Sequence, residues 1–557
     1  MPTSLLLRNA SILTMDPERP RAEAVFVRGN RIVAVGSEAD VAALADAGTN
    51  ILDAGGATVL PGFVESHIHL FAGADEMGHL SLLGVKGFDA LRTAVLAYAE
   101  AQPHLVLVTA QSADYTILSD HERPTRQHLD AILPDRPLAL VAPDHHTVWA
   151  NTLALTQAGL LGGRALGPGN EVVMDADGTA TGELRERQAF EPVLALGGGG
   201  RASLGLSTGG EPDPAPDAAA IAADLDTLRR GLSYAASLGI TSIHNMDGNR
   251  YTLDLLARLD AAGELTCRVR VPFHYRNHRR LPDLEIASAM ARDFAGERLE
   301  SGFVKVFYDG VLDSWTAVMI EPYADRPDTR GDPLFSAADF AALAVEIDRR
   351  GLQIAVHAIG DGAVRTVLDG YEAAITANGR RDSRHRIEHI EVIHPDDIPR
   401  FKAIGVIASM QPTHPPGSAG LPLEPTISRI GPERWPLAYA WRRLKDAGAR
   451  IAFSTDWPVS PLSPLGAIEA AMTRQPFAPR LPDQRLTLAE TLEAYTAGGA
   501  YAGFAEKRTG RIAPGFLADL VLLGGDIETA APDAIGGLGI ACTICDGRVT
   551  FAARAPS

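Results

Sequence analysis

Eight apolar runs of strand length, separated by stretches of helical periodicity, constrain this chain more than any other feature. They lie at Val59 to His69, Ile240 to His244, Cys267 to Tyr275, Phe303 to Tyr308, Gln353 to His357, Arg386 to Ile390, Gly405 to Gln411 and Arg450 to Thr455. Apolar strands alternating with helical patterns point to a parallel sheet, because parallel neighbours are joined by crossovers. Eight of them predict an α/β fold of the (β/α)8 TIM-barrel class over residues 61–507, with its chemistry at the carboxyl ends of the strands. The polar residues sit within or near those ends: His67, His69, Lys305, His357, His389 and Asp456.

With 557 residues the chain holds more than one barrel needs. Residues 1–60 read as short strands at Leu5 to Arg8, Ala24 to Arg28, Arg31 to Val35 and Thr58 to Leu60, with Gly29-Asn30 as a hairpin turn. The chain ends in the same style, at Asp519 to Leu523, Cys542 to Cys545 and Val549 to Phe551. Neither end has strands enough for a core of its own, so residues 1–60 and 508–557 are expected to pair into one small β domain. Residues 71–237 exceed a single crossover and carry runs at Leu105 to Thr109 and Leu138 to Ala142 and a helical stretch at Asp89 to Ala101. They read as an insertion over the barrel mouth, with surface connections at Gly197 to Gly200 and Gly209 to Pro216.

The charge balance narrows the function classes. Asp and Glu number 69 against 51 Lys and Arg, a formal charge of -18, and arginine pairs are scattered rather than clustered, which argues against a nucleic-acid partner. No run is long and apolar enough for a membrane span, and the N-terminus lacks the basic region and apolar core of a secretion signal. Three cysteines cannot build a disulfide framework, so a reducing, cytoplasmic location is expected. Cys542 and Cys545 have metal-like spacing but no second pair, and read as strand residues.

Along a strand, residues two apart share a face, so His67 and His69 project together, about 7 Å apart, and can converge on one cation. Taken singly, each candidate has a mundane reading: a histidine can be a satisfied core residue and Asp456 a helix cap. Their shared place at strand ends of one barrel favours a site. Lys305 stands among apolar neighbours in Gly302-Phe303-Val304-Lys305-Val306-Phe307. Carbon dioxide added to its amine gives a carbamate, whose two oxygens can bridge two cations. The plain alternative is a lysine paired with an acid such as Asp309.

The segments Gly62 to His69, Phe303 to Phe307, Val356 to Asp361, Glu388-His389 and Thr455-Asp456 resemble the metal-site motifs of the amidohydrolase superfamily. Lys305 to Gly310, Gly182 to Glu186, His146 to Asn151 and Asp456 to Val459 resemble more narrowly the branch that includes N-substituted formamide deformylases. Glu65 departs from the aspartate usual two residues before the first histidine, a position that is not a ligand in that family. The resemblance implies two divalent metal ions, zinc first among the candidates. His67, His69 and Asp456 would hold one, His357 and His389 the other, and carboxylated Lys305 would bridge them. It also implies a hydroxide formed at the metals that attacks the carbonyl of a small amide-like substrate, with Asp456 carrying the proton to the leaving nitrogen.

The first reading is therefore a hydrolase of C-N bonds. A one-metal deaminase on a similar barrel gives Lys305 no role, and a non-catalytic scaffold of the same fold has no use for six retained positions. No macromolecular partner is expected, and a homodimer is left open. Trp149, Trp315 and Trp457 are candidates to line an apolar pocket.

Overall fold

The computed structural model describes residues 4–119, 121–167, 169–197, 200–418 and 421–553. Residues 198 and 199 of the glycine run, and residues 1–3 and 554–557 of the expected terminal domain, lie outside the described residues.

Helix formation between the strands follows from sequence. In Ala337–Arg349, Ser336 caps the N-terminus by accepting the Asp339 N–H, and Phe340, Leu343, Ala344 and Ile347 form one buried stripe. That stripe meets Asp361–Asn378, which buries Val364, Val367, Leu368 and Tyr371 at the same helical spacing. Such helices alternate with parallel strands in a TIM-barrel-like α/β fold. One sheet runs in the order Leu299–Glu300, Arg268–Arg270, Ile240–Asn245, Phe63–Ile68, and the second in the order Phe273–Tyr275, Phe303–Phe307, Gln353–Ala358, Arg386–His389, Ile407–Met410, Arg450–Phe453. Every neighbouring pair is parallel. The chain after Arg450–Phe453 meets the first strand through two main-chain hydrogen bonds, Asp456 N–H to His67 O at 3.0 Å and His69 N–H to Trp457 O at 2.8 Å.

Two of the eight runs divide. Val59 to His69 becomes Thr58–Pro61 and Phe63–Ile68, in different sheets. At Gly62, between them, a Cβ would lie 2.2 Å from the Thr241 side chain, so only glycine lets the backbone pass this close. Cys267 to Tyr275 becomes Arg268–Arg270 and Phe273–Tyr275 because Pro272 has no N–H for the ladder.

The two chain ends share a six-stranded sheet in the order Arg548–Ala552, Ile540–Cys545, Leu520–Leu523, Thr58–Pro61, Ser11–Leu13, Arg21–Ala22. A four-stranded sheet, Arg31–Gly36, Ala24–Arg28, Ser4–Arg8, Thr49–Asp53, lies with it over a common apolar cluster that includes Leu7, Val25, Val59, Leu520 and Ile544. Gly29-Asn30 turns an antiparallel hairpin as expected. Arg268 fastens the terminal sheet to the parallel one, at 2.8 Å from Asp519 and from Asp546. Residues 80–185 contain a mixed six-stranded sheet of their own, with helix Phe88–Ala101 beside it.

Candidate metal centre

The six side chains singled out from the sequence are all buried. Ligand atoms of His67, His389 and Asp456 lie within 4.8 Å of one another. His69 joins through Nε2, 3.2 Å from Asp456 Oδ1, and His67 Nε2 is 3.3 Å from the same oxygen. Lys305 Nζ lies 3.3 Å from His67 Nε2, and the His357 ring centroid is 4.5 Å from that of His389. The gathered trio thus draws members from both of the groups that the resemblance implied.

Around this centre, acceptors fix the imidazole tautomers. His67 Nδ1 donates to Glu388 Oε2 at 2.7 Å, His69 Nδ1 to Asp247, His389 Nδ1 to Gln411 Oε1 at 3.0 Å, and His357 Nε2 to Gly310 O at 3.0 Å. Carboxylate and amide oxygens only accept, so in each neutral ring the other nitrogen keeps its lone pair. Burial, helped by neighbouring positive charge, holds His67, His357 and His389 well below the usual histidine range. Burial opposes protonation of His69 too, but Asp247 and Asp456 outweigh it and lift that ring to about 9. The same two carboxylates raise its affinity for any cation. Burial works against the Asp456 carboxylate as well, yet His69, His414 and Lys305 keep it below the ordinary range.

Asp456 Oδ1 is buried and makes no hydrogen bond among the described residues, although two imidazole nitrogens face it. Once a cation displaces the His69 proton, the lone pairs gathered around this carboxylate oxygen are held by that cation, and this set of N and O donors suits zinc and similar divalent ions. The residues present therefore fit the metal chemistry that the sequence suggested.

Lys305 is fully buried and, among the described residues, has no carboxylate within 4 Å. Asp309, its proposed salt-bridge partner, instead accepts main-chain N–H groups from Val318, Ile359 and Gly360 at 2.9 to 3.0 Å. Burial pushes the Lys305 amine down to about 8, and its Nζ stands 4.6 Å from the Phe307 ring centroid. Glu65 is also buried; it accepts the Thr455 N–H and hydroxyl, and so ties the first strand to the end of the last. His389 and Asp456 hold left-handed backbone conformations, φ 77° and 60°, which non-glycine residues keep only where their surroundings impose them.

A cavity of about 330 Å³ opens over the centre, lined by His69, His357, His389 and Asp456 on the strand side and by His145, His146, Glu186 and Arg187 from residues 71–237. None of the three tryptophans lines it. Trp149 is packed against Tyr115 inside the 80–185 segment, Trp457 lies against Gly73 and Tyr234, and Trp315 carries the Arg429 guanidinium 3.7 Å from its ring centroid. Sequence reasoning missed Asp247, Gln411 and the role of Glu388. Asp247 and Gln411 were visible as polar residues ending or following a strand.

A model of the amidohydrolase family matches residues 50–551. The chain belongs to the amidohydrolase family. Among its relatives, the amidohydrolase is 31% identical over 543 residues to Protein LONG AFTER FAR-RED 3 of Arabidopsis thaliana, covering 93% of this chain and 87% of that one. It is 27% identical over 557 residues to the N-substituted formamide deformylase of Arthrobacter pascens, covering 98% of each. A solved structure from Pyrococcus furiosus, described as an uncharacterized metal-dependent hydrolase, superposes on this amidohydrolase with a TM-score of 0.69 at 26% identity, covering 95% of this chain and all of that one.

Proposed function

We propose that this amidohydrolase is a metal-dependent hydrolase of carbon-nitrogen bonds in small amide-like molecules. The observation that carries the reading is the buried Asp456 oxygen faced by two imidazole nitrogens at 3.3 and 3.2 Å, beside a buried lysine with no carboxylate within 4 Å among the described residues. His67, His69, His357, His389 and Asp456 would hold two divalent ions, with zinc suited to the donors, and Lys305 as a carbamate would bridge them. Bound there, such ions would supply Lewis acidity toward a carbonyl and toward water.

The rest of the chemistry belongs to the chain. Asp456, ionised below the ordinary carboxylate range, is placed to accept a proton from the attacking water and return it to the leaving nitrogen. Glu388, Asp247, Gln411 and Gly310 keep the imidazoles oriented. The Lys305 amine, lowered to about 8, has a larger neutral fraction at physiological pH than a free lysine, which carbamate formation needs. The site would lie at the mouth of a (β/α)8 barrel of residues 61–507, with residues 71–237 as cover and residues 1–60 and 508–557 as one small β domain. Three buried free cysteines support a cytoplasmic location. No helix of the described residues is long and apolar enough to cross a membrane. A homodimer is compatible with this reading.

One observation favours a second reading: a single gathered trio, His67, His389 and Asp456, is what a one-metal deaminase would need. Metal analysis of the purified protein, joined to a hydrolysis screen over N-formyl and N-acyl amines, cyclic amides and esters, separates the readings. About two ions per chain with amide turnover is expected. About one ion moves the case to the deaminase, and none to a non-catalytic scaffold.

A further inference from the structure

Most charged side chains around the cavity are already partnered. Asp144 accepts from the Tyr115 hydroxyl and the His146 N–H, both at 2.9 Å. Glu186 holds His146 Nδ1 at 2.8 Å and the Thr316 hydroxyl at 2.7 Å. Asp313 accepts from Thr426, Glu391 from Tyr439, and Glu76 lies 3.4 Å from His145. Two cations differ. Arg187, the first residue of helix Arg187–Leu194, and Arg276, directly after strand Phe273–Tyr275, line the cavity with no side-chain hydrogen bond and no acid within 4 Å among the described residues. Glu191 lies near both and pairs with neither.

The Nε of Arg187 is buried and unpartnered, and burial followed by the charge of Arg276 pushes that guanidinium down to about 10. Burial lowers Arg276 as well. Two guanidiniums left without acceptors at the wall of a cavity are costly unless an anion completes them. Their position is specific. The Phe307 ring has Arg276 Cζ 5.3 Å, Lys305 Nζ 4.6 Å and the stacked His357 ring 4.6 Å from its centroid. Arg276 thus touches the same ring that Lys305 and His357 touch, and an anion on it would lie in the cavity beside the candidate centre.

We propose that Arg187 and Arg276 form a binding site for a carboxylate carried by the substrate, so that the amides this protein takes are those bearing an anionic group a few atoms from the scissile bond. The inference rests on the hydrolase reading for the bond that is broken, but not for the anion. The test uses the metal-loaded protein and two probes with one skeleton, N-formylphenylalanine and N-formylphenethylamine, which lacks the carboxylate. Calorimetry should show the acid binding about tenfold or more tightly than the neutral amide, as expected for hydrogen bonds to a charged group. Arg187→Met and Arg276→Met should each remove most of that ratio. Arg187→Lys and Arg276→Lys, which keep charge and bulk but lose the forked donors, should remove part of it and serve where a methionine variant does not fold. A ratio near one in the parent, or an undiminished ratio in the folded variants, overturns the site. Turnover is read separately. A large ratio without turnover of either probe leaves the anion site standing and counts against the hydrolase reading; turnover with a ratio near one does the reverse.

Discussion

Arg386 and Lys305 are both cations with no exposed surface, carried on strands of the same parallel sheet, and their surroundings are opposite. Arg386 donates to both oxygens of Glu388 at 2.8 and 3.0 Å, to Ser66 O at 2.6 Å, to Ser409 at 2.9 Å and to His244 Nδ1 at 3.0 Å. Among the described residues Lys305 has a single side-chain hydrogen-bond contact, the Nε2 of His67 at 3.3 Å, and Glu388, Asp456 and Asp247 act on it only from farther away. A buried charge costs several kcal/mol unless it is paired, so a satisfied cation marks construction and an unsatisfied one marks a place kept for something else. Glu388 joins the two regions, because it takes both Arg386 and His67 Nδ1.

The sharpest way to break the contrast is Lys305→Ala. We expect activity to fall to background and much of the metal to be lost, with acetate restoring part of both by standing in for the carbamate. Metal per chain and turnover, each with and without acetate, read this out. Unchanged metal and activity would end the bridging proposal. The matching change on the other side, Arg386→Met, leaves Glu388 charged and buried without its fork. A loss of about 3 to 5 kcal/mol in denaturant unfolding is expected. If that variant kept its stability but lost its metal, the assignment of Arg386 to construction would be wrong.

Asp456→Asn should keep the fold and much of the metal, since an amide oxygen can still ligate, yet lower turnover at least about 100-fold because it cannot carry a proton. A loss within about tenfold, roughly 1.4 kcal/mol of barrier, removes Asp456 as proton carrier. Asp247→Asn weakens the hold on His69 and should cost about 10- to 100-fold in metal affinity, measured by chelator competition. The last effect is read in metal-free protein in carbonate-free buffer. Burial holds the Lys305 amine at about 8, below its unfolded value of about 10.4, so the unfolded chain binds more protons between those limits. Its contribution to stability is full above about pH 10.4 and is lost as pH falls to about 8. The parent should therefore gain stability relative to Lys305→Met as pH rises through that window, and parallel curves would show that the amine is not perturbed.

The parallel strands and the six central residues were legible because they follow simple rules: apolar runs of strand length, with polar residues where the runs end. The breaks were not. Nothing in the apolar pattern of Val59 to His69 shows that its two halves serve different sheets, because that depends on Thr241 lying against Gly62. Ser11–Leu13 and Arg21–Ala22 are too short to read, and Thr49–Asp53 is largely exposed and lacks a buried face. Asp247 and Gln411 act through histidines 178 and 22 residues away, and Arg386 adds to its neighbour Glu388 a bond to Ser66 O 320 residues away; no local spacing encodes such distant pairs. Trp149 and Trp315 misled because they lie near candidate site segments in sequence, whereas Trp149 fills a core and Trp315 is a platform for guanidinium groups; Trp457 lines a smaller neighbouring pocket.

Thr58–Pro61 continues through Gly62 into the strand that carries His67 and His69, and it is flanked by Ser11–Leu13 on one side and Leu520–Leu523 on the other. On the ribosome the strands of both parallel sheets are made between these two neighbours. The segment leading into the first histidines emerges before most of those strands, and its second neighbour after all of them. Its sheet cannot be finished while the strands of the two parallel sheets are still being synthesised, which places the final seating of His67 and His69 after those strands have left the ribosome.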